Sequence, residues 1–195
     1  RDDIRSVFCG LRPLVKGDAK STAALSRDHH ISVSDSDLIS ITGGKWTTYR
    51  KMAEDVVDLA IQKEHLPFVK SETSSLHIHG YKEETDFNEP LYYYGSDREE
   101  LEKLFDENIH WRNRIHPDLP YVEAEIIWAI REEMALQVED ILARRTRMLF
   151  LDALAAIQSS EKVAHIMARE MNKNEMWIRD QIDNFTLVAM KYLPH

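Results

Sequence analysis

The sequence predicts a mainly α fold, a C-terminal helical bundle preceded by a short α/β segment. Three observations predict it. From residue 96 onward apolar residues recur at spacings of three and four, which places them on one face of a helix. Before residue 45 apolar and polar residues alternate instead, as on a half-buried strand. Between the two periods stands Gly43-Gly44, where the backbone is free to turn sharply.

Taken in order, Ser6-Val7-Phe8-Cys9-Gly10-Leu11-Arg12-Pro13-Leu14 reads as an extended run. Pro13 has no N–H to donate, so a strand here ends or lies on an edge. His30-Ile31-Ser32-Val33-Ser34 and Leu38-Ile39-Ser40-Ile41-Thr42 read as two strands joined by the turn Asp35-Ser36-Asp37. Met52, Val56, Leu59 and Ala60 then mark a helix from Trp46 to Glu64. Phe68 to Gly95 reads as a connector in which Leu76-His77-Ile78-His79-Gly80 is a short strand.

Ser96 and Glu99 have capping-box spacing and start the first helix of the bundle, with Leu101, Leu104 and Phe105 facing inward. Pro117 and Pro120 punctuate the next loop. Further helices are expected over Tyr121 to Met134, where Ile126-Ile127-Trp128-Ala129-Ile130 would also suit a strand, over Val138 to Ile157, through Met171 after a break at Ser159-Ser160, and over Glu175 to Leu193. Short loops between such helices imply a bundle. Strand edges left unpaired in residues 1 to 45 would invite pairing with another chain.

Composition narrows the function classes. The chain has 195 residues, 43% hydrophobic and 30% charged, the balance of a globular protein. A net charge of -9 argues against a nucleic-acid surface, which needs clustered positive charge. The one cysteine, Cys9, has no partner for an internal disulfide or a metal cluster, and a cytoplasmic setting fits. No apolar run approaches the roughly 20 residues that span a bilayer. The opening Arg1-Asp2-Asp3-Ile4 leads us to expect a piece of a longer protein.

Chemistry concentrates in three places. At Gly43-Gly44-Lys45-Trp46-Thr47-Thr48, a helix start offers N–H groups, a lysine charge and hydroxyls to an electron-rich ligand. It is not a phosphate-binding Walker loop, because the upstream glycine is missing and Trp46 follows Lys45. By spacing alone an ordinary strand-to-helix turn with a solvated lysine accounts for it better. Arg12 and Arg27 offer planar forks that match a phosphate or carboxylate, although, taken singly, pairing with a local acid such as Asp28 or Asp18 accounts for each one better. His29, His30, His77 and His79 lack the spacing of a metal site. Arg144-Arg145-Thr146-Arg147 is read as a salt-bridged face balanced by Glu139 and Asp140. Trp111, Trp128 and Trp177 are read as packing residues.

These motifs, in this order, resemble the late part of FAD-dependent glycerol-3-phosphate dehydrogenases. The resemblance rests on Gly10-Leu11-Arg12-Pro13-Leu14, on Ser26-Arg27-Asp28 and on the run from Gly43 to Glu54. Val138 to Arg147 is similar to the signature of that family's helical C-terminal domain, and Leu76 to Gly80 to its connector. The resemblance implies that residues 1–66 close the FAD-dependent oxidoreductase domain, as an α/β remnant of the FAD/substrate fold. Residues 67–95 would be the connector and 96–195 the helical domain.

The resemblance further implies oxidation of sn-glycerol 3-phosphate to dihydroxyacetone phosphate by hydride transfer to FAD, with electrons passing to quinone. Arg12 and Arg27 would then lie at the substrate pocket, with Arg27 on the phosphate. Gly43, Gly44, Lys45, Trp46, Thr47 and Thr48 would approach the flavin. The family's opening GxGxxG does not occur in this sequence. It and the catalytic base are expected upstream, so the chain alone is expected to be inactive and not to retain FAD. An oxidase using oxygen is the alternative, as is a helical module serving homodimerisation or peripheral attachment to the inner face of the cytoplasmic membrane.

Overall fold

A computed structural model describes residues 3–11 and 29–194. The chain divides into two compact units, one of residues 10–78 and one of residues 1–9 together with 79–195. Among the described residues the only sheet is two-stranded and the rest of the regular structure is helical, so the mainly α expectation holds.

The smaller unit is a hairpin followed by a helix. Strands β1 (His29–Val33) and β2 (Ile39–Gly43) pair antiparallel, with Ile31 opposite Ile41 and His29 opposite Gly43. The predicted turn closes them, with Asp37 left-handed at φ 63° and the Ser34 hydroxyl accepting the Leu38 N–H at 3.1 Å. A single 3-10 turn (Trp46–Thr48) leads into α1 (Tyr49–Lys63).

The larger unit contains α2 (Arg98–Glu107), α3 (Glu123–Arg131), α4 (Met148–Leu151), α5 (Ala153–Glu170) and α6 (Glu175–Ala189). Its main core joins Ile126 of α3, Leu149 of α4, Val163 and Met167 of α5, and Phe185 of α6. A smaller cluster gathers Leu91, Leu101, Leu104, Ala124 and Ile127.

Several local expectations are corrected. Leu76 to Gly80 forms no strand. The Ser96–Glu99 capping box does not form, because Ser96 and Asp97 still belong to a 3-10 segment (Tyr92–Asp97) and α2 starts at Arg98. The expected helix from Val138 to Ile157 is broken earlier than Ser159-Ser160. Residues Asp140–Arg145 form a π-helix, in which both the N–H and the hydroxyl of Thr146 donate to the Ile141 carbonyl at 2.9 and 2.8 Å. Arg147 then turns left-handed at φ 58°, and extended Asp152 caps α5 by accepting the Ala155 N–H at 2.9 Å. The two serines stay helical because their hydroxyls donate to the Ala155 and Ile157 carbonyls, which leaves no buried polar group unmet.

The described part of the N-terminal run forms no helix, and through Cys9 it groups with the larger unit. Arg5 accepts the Ala153 N–H at 3.1 Å, Val7 donates to the Tyr192 carbonyl at 2.8 Å, and the Ser6 hydroxyl donates to the Leu149 carbonyl at 2.7 Å. Arg5 pairs with Asp152 at 2.8 Å, and Phe8 meets Phe150 edge-on at 5.1 Å. An edge with unsatisfied backbone groups thus finds its partners on helix ends instead of on another strand.

Candidate functional site

Both Gly43 and Gly44 are left-handed, each at φ 78°. Side chains rarely adopt that conformation, and a Cβ at Gly44 would also run into the Met52 sulfur. The diglycine therefore lets β2 end abruptly and brings its end against the first turn of α1. Thr48 locks the turn: its hydroxyl donates to the Lys45 carbonyl at 2.9 Å and accepts the Lys45 N–H at 3.1 Å. Lys45, Trp46, Thr47 and Thr48 are all exposed, Trp46 at 90% with its ring 6.2 Å from that of Tyr49.

The neighbouring cations of α1 are already spoken for. Lys51 pairs with Glu54 at 2.7 Å and with Asp55 at 2.8 Å, while Arg50 also binds Glu54. Lys51, and then Arg50, hold the Glu54 carboxyl down at about 2. Asp55 lies below the usual aspartate range, first because of Lys51 and then because of His29, which it meets at 2.9 Å. Among the described residues no carboxylate reaches Lys45.

Gly43 through Thr48 are thus contiguous on one exposed turn. Arg12 and Arg27 lie outside the described residues. The histidines form no metal cluster among the described residues: His29 serves Asp55, and His79 pairs with Asp97 at 2.8 Å. Of the basic run, Arg144 reaches Glu139 and Asp140 at 2.7 and 2.9 Å and Arg145 reaches Glu133 at 2.8 Å, as a salt-bridged face requires.

Sequence reasoning missed a buried carboxylate. Glu125, only 1% exposed, accepts hydrogen bonds from the Tyr93 hydroxyl at 2.6 Å, the Tyr94 hydroxyl at 3.2 Å and the Val122 N–H at 2.7 Å. Burial pushes its carboxyl above the usual range against the pull of those three donors. The available signal was a glutamate set between Ala124 and Ile126-Ile127, with three consecutive tyrosines upstream to satisfy it.

Comparison with known proteins bears on both units. Residues 34–177 match the family model described as the C-terminal domain of alpha-glycerophosphate oxidase. The mitochondrial glycerol-3-phosphate dehydrogenase of Rattus norvegicus is 36% identical over 211 residues, covering 95% of this chain and 28% of its own length. The human enzyme of that name is 33% identical over 218 residues, covering 99% of this chain and 29% of its own. A probable mitochondrial glycerol-3-phosphate dehydrogenase of Dictyostelium discoideum is 35% identical over 192 residues, covering 86% of this chain and 30% of its own. The chain therefore spans less than a third of the length of these relatives.

Proposed function

The chain belongs to the family of C-terminal domains of alpha-glycerophosphate oxidase, and on that premise we propose that it closes a longer flavoenzyme that oxidises sn-glycerol 3-phosphate to dihydroxyacetone phosphate. The observation that carries the reading is the Gly43–Thr48 turn, which presents Lys45, paired with no carboxylate among the described residues, and the exposed Thr47 on a helix start. Such donors suit an electron-rich ring edge. FAD, when bound, accepts the hydride that leaves the substrate carbon. Lys45 favours the negative charge that arrives with the hydride, and the diglycine keeps side chains out of the path of approach. Arg12 and Arg27 grip the substrate, Arg27 at its phosphate. The base that takes the hydroxyl proton and the dinucleotide-binding fold belong to the part of the parent that this chain does not span.

Quinone is the proposed acceptor. The matching family is named for an oxidase, which favours a second reading in which oxygen takes the electrons. Oxygen consumption by the full-length protein without quinone separates the two. Among the described residues no helix is long and apolar enough to cross a membrane, so any membrane contact of the described helices is peripheral.

The test uses the full-length enzyme. Arg27→Ala should cost about 2–5 kcal/mol in kcat/KM for glycerol 3-phosphate, the range for removing one partner of a hydrogen-bonded charge pair, with FAD content near normal. Equal losses with unphosphorylated glycerol would show that Arg27 does not read the phosphate. Lys45→Met should lower the flavin potential and slow reduction. The chain by itself should purify colourless, turn over no glycerol 3-phosphate and fail to retain added FAD; stoichiometric yellow protein would overturn its assignment as a partial site.

A further inference from the structure

The larger unit carries a cleft of about 550 Å³ that the flavin reading does not use. That volume is within the range of small-molecule sites, about 300–1,000 Å³. One wall is apolar: Pro90, Phe105, Pro120 and Val122, with Tyr92 beside them. The other polar feature is a set of arginines, Arg98, Arg112 and Arg114.

These arginines are not equivalent. Arg98 takes up both acidic residues of the lining, Glu102 at 2.7 Å and Glu89 at 3.0 Å. The Arg112 guanidinium carbon sits over the Phe105 ring, 4.2 Å from its centroid. Arg114 is steadied by one bond to the Pro117 carbonyl at 2.9 Å. Among the described residues neither Arg112 nor Arg114 has a carboxylate partner. Both are held in place without being neutralised, in a protein whose net charge is -9. Stacking on a ring leaves the edge of a guanidinium, with its N–H groups, free to meet an anion.

The backbone around the cleft is also constrained. Leu91, in its lining, is a non-glycine residue at φ 59°. Such a conformation is unfavourable for a side-chain-bearing residue and persists only where the surroundings impose it. Gly95, at φ 56°, has no room for a Cβ beside the Gly80 carbonyl, and that carbonyl accepts the Ser96 N–H at 3.2 Å. The segment bearing Leu91 and Tyr92 is thereby pinned ahead of α2.

We infer that this cleft binds a small organic anion, an apolar or aromatic body carrying one carboxylate or phosphate group. The apolar wall takes the body, and Arg112 and Arg114 take the anionic group as charge-assisted acceptor. Inorganic phosphate would leave the apolar wall unfilled, and a neutral aromatic would leave both guanidiniums unmatched.

The test is a titration of the isotope-labelled chain with 1-naphthyl phosphate, 1-naphthoate, 1-naphthol and inorganic phosphate, followed by amide chemical shifts. The two naphthyl anions should bind, with the shifts centred on residues 88–93 and 112–122. The better of the two identifies the anionic group. Arg112→Gln and Arg114→Gln should each weaken binding at least tenfold, with amide shifts of the α5–α6 core unchanged as evidence of folding. Arg112→Lys, which keeps the charge but not the planar fork, should fall between. Binding of 1-naphthol or inorganic phosphate as tight as that of the naphthyl anions would overturn the inference. So would insensitivity to both Gln variants, or shifts centred on residues 43–52. A glutamate-rich peptide that occupied the cleft more tightly than either naphthyl anion would assign it to a protein partner and overturn the small-molecule reading.

Discussion

The two units differ in where their apolar surface goes. Every buried hydrophobic residue described, from Leu91 to Ala189, belongs to the larger unit. In the smaller one neither strand nor α1 contains a buried residue, although Ile31, Ile41, Met52 and Leu59 have the spacing of an inward face. A hairpin and one helix are too small to close a core, since a two-stranded sheet is marginal by itself. The larger unit therefore closes a core of its own, whereas among the described residues of the smaller one no side chain is buried.

The sharpest way to break the comparison is to remove a large side chain from each unit. Phe185 of α6, 1% exposed, belongs to the same core cluster as Val163 and Met167 of α5. Phe185→Ala should destabilise the larger unit by about 3–5 kcal/mol. Leu59→Ala in α1 should cost it nothing and should change only the local exchange protection of 29–64. Trp111, Trp128 and Trp177 lie in the larger unit and Trp46 in the smaller, so urea unfolding followed by tryptophan fluorescence in a Trp46→Phe background reads the larger unit selectively. A Leu59→Ala shift as large as that of Phe185→Ala would mean that the two units unfold as one.

How much of this was legible in the sequence depends on the kind of signal. The hairpin and α1 were readable because strict alternation, a turn of Asp and Ser, and a diglycine each have a local cause. The π-helix over Asp140–Arg145 was not, because its extra residue is imposed by packing and by the Thr146 hydroxyl, neither of which alters apolar spacing much. Ser159 and Ser160 misled for a related reason: serine favours breaks only when its hydroxyl cannot reach a helical carbonyl. The Gly43–Thr48 turn was legible as donors at a helix start. The arginine cleft was not, since Arg98, Arg112 and Arg114 converge only through tertiary folding and resemble any exposed cations in sequence.

A smaller effect tests the N-terminal strap, which the larger unit holds across a long sequence separation. Asp152 caps α5 and pairs with Arg5. Burial raises its carboxyl, but the Ala155 N–H and Arg5 more than offset that, so it lies below the usual aspartate range. The stabilisation is therefore fully present above the unfolded aspartate value of about 3.9 and is lost as pH falls through the lower folded value. Asp152→Ala should cost about 1–2 kcal/mol at neutral pH, the cap range, and should raise hydrogen exchange at Val7. Arg5→Ala should expose the same amide while leaving most of the α5 stability intact. Unchanged exchange at Val7 in both variants would show that the Asp152 pair does not hold the strap.

The smallest expected effect concerns Glu125, where the larger unit departs from its own rule of burying apolar groups. Tyr94 donates to this carboxylate over 3.2 Å and Tyr93 over 2.6 Å, so Tyr94→Phe should cost about 1 kcal/mol, a typical net hydrogen bond, and Tyr93→Phe somewhat more. The pH dependence has the opposite sign to that of Asp152. Glu125 has a folded value raised by burial, so the folded state holds its proton more tightly than the unfolded chain does. Its contribution is most favourable below the unfolded glutamate value of about 4.3 and declines as pH rises through the raised folded value. In Glu125→Gln the amide oxygen can still accept the Val122 N–H while its NH2 faces the tyrosine hydroxyls, which can accept, so the site keeps its shape and the titration disappears. The stability of the wild type minus that of Glu125→Gln should therefore fall with rising pH across the interval above 4.3. Urea midpoints of both proteins from pH 4 to 8 would give this difference, with the Asp152 term common to both and cancelling. A difference that stays flat, or that grows with pH, would mean that the three donated hydrogen bonds outweigh burial and that Glu125 is held as an ordinary ionised carboxylate.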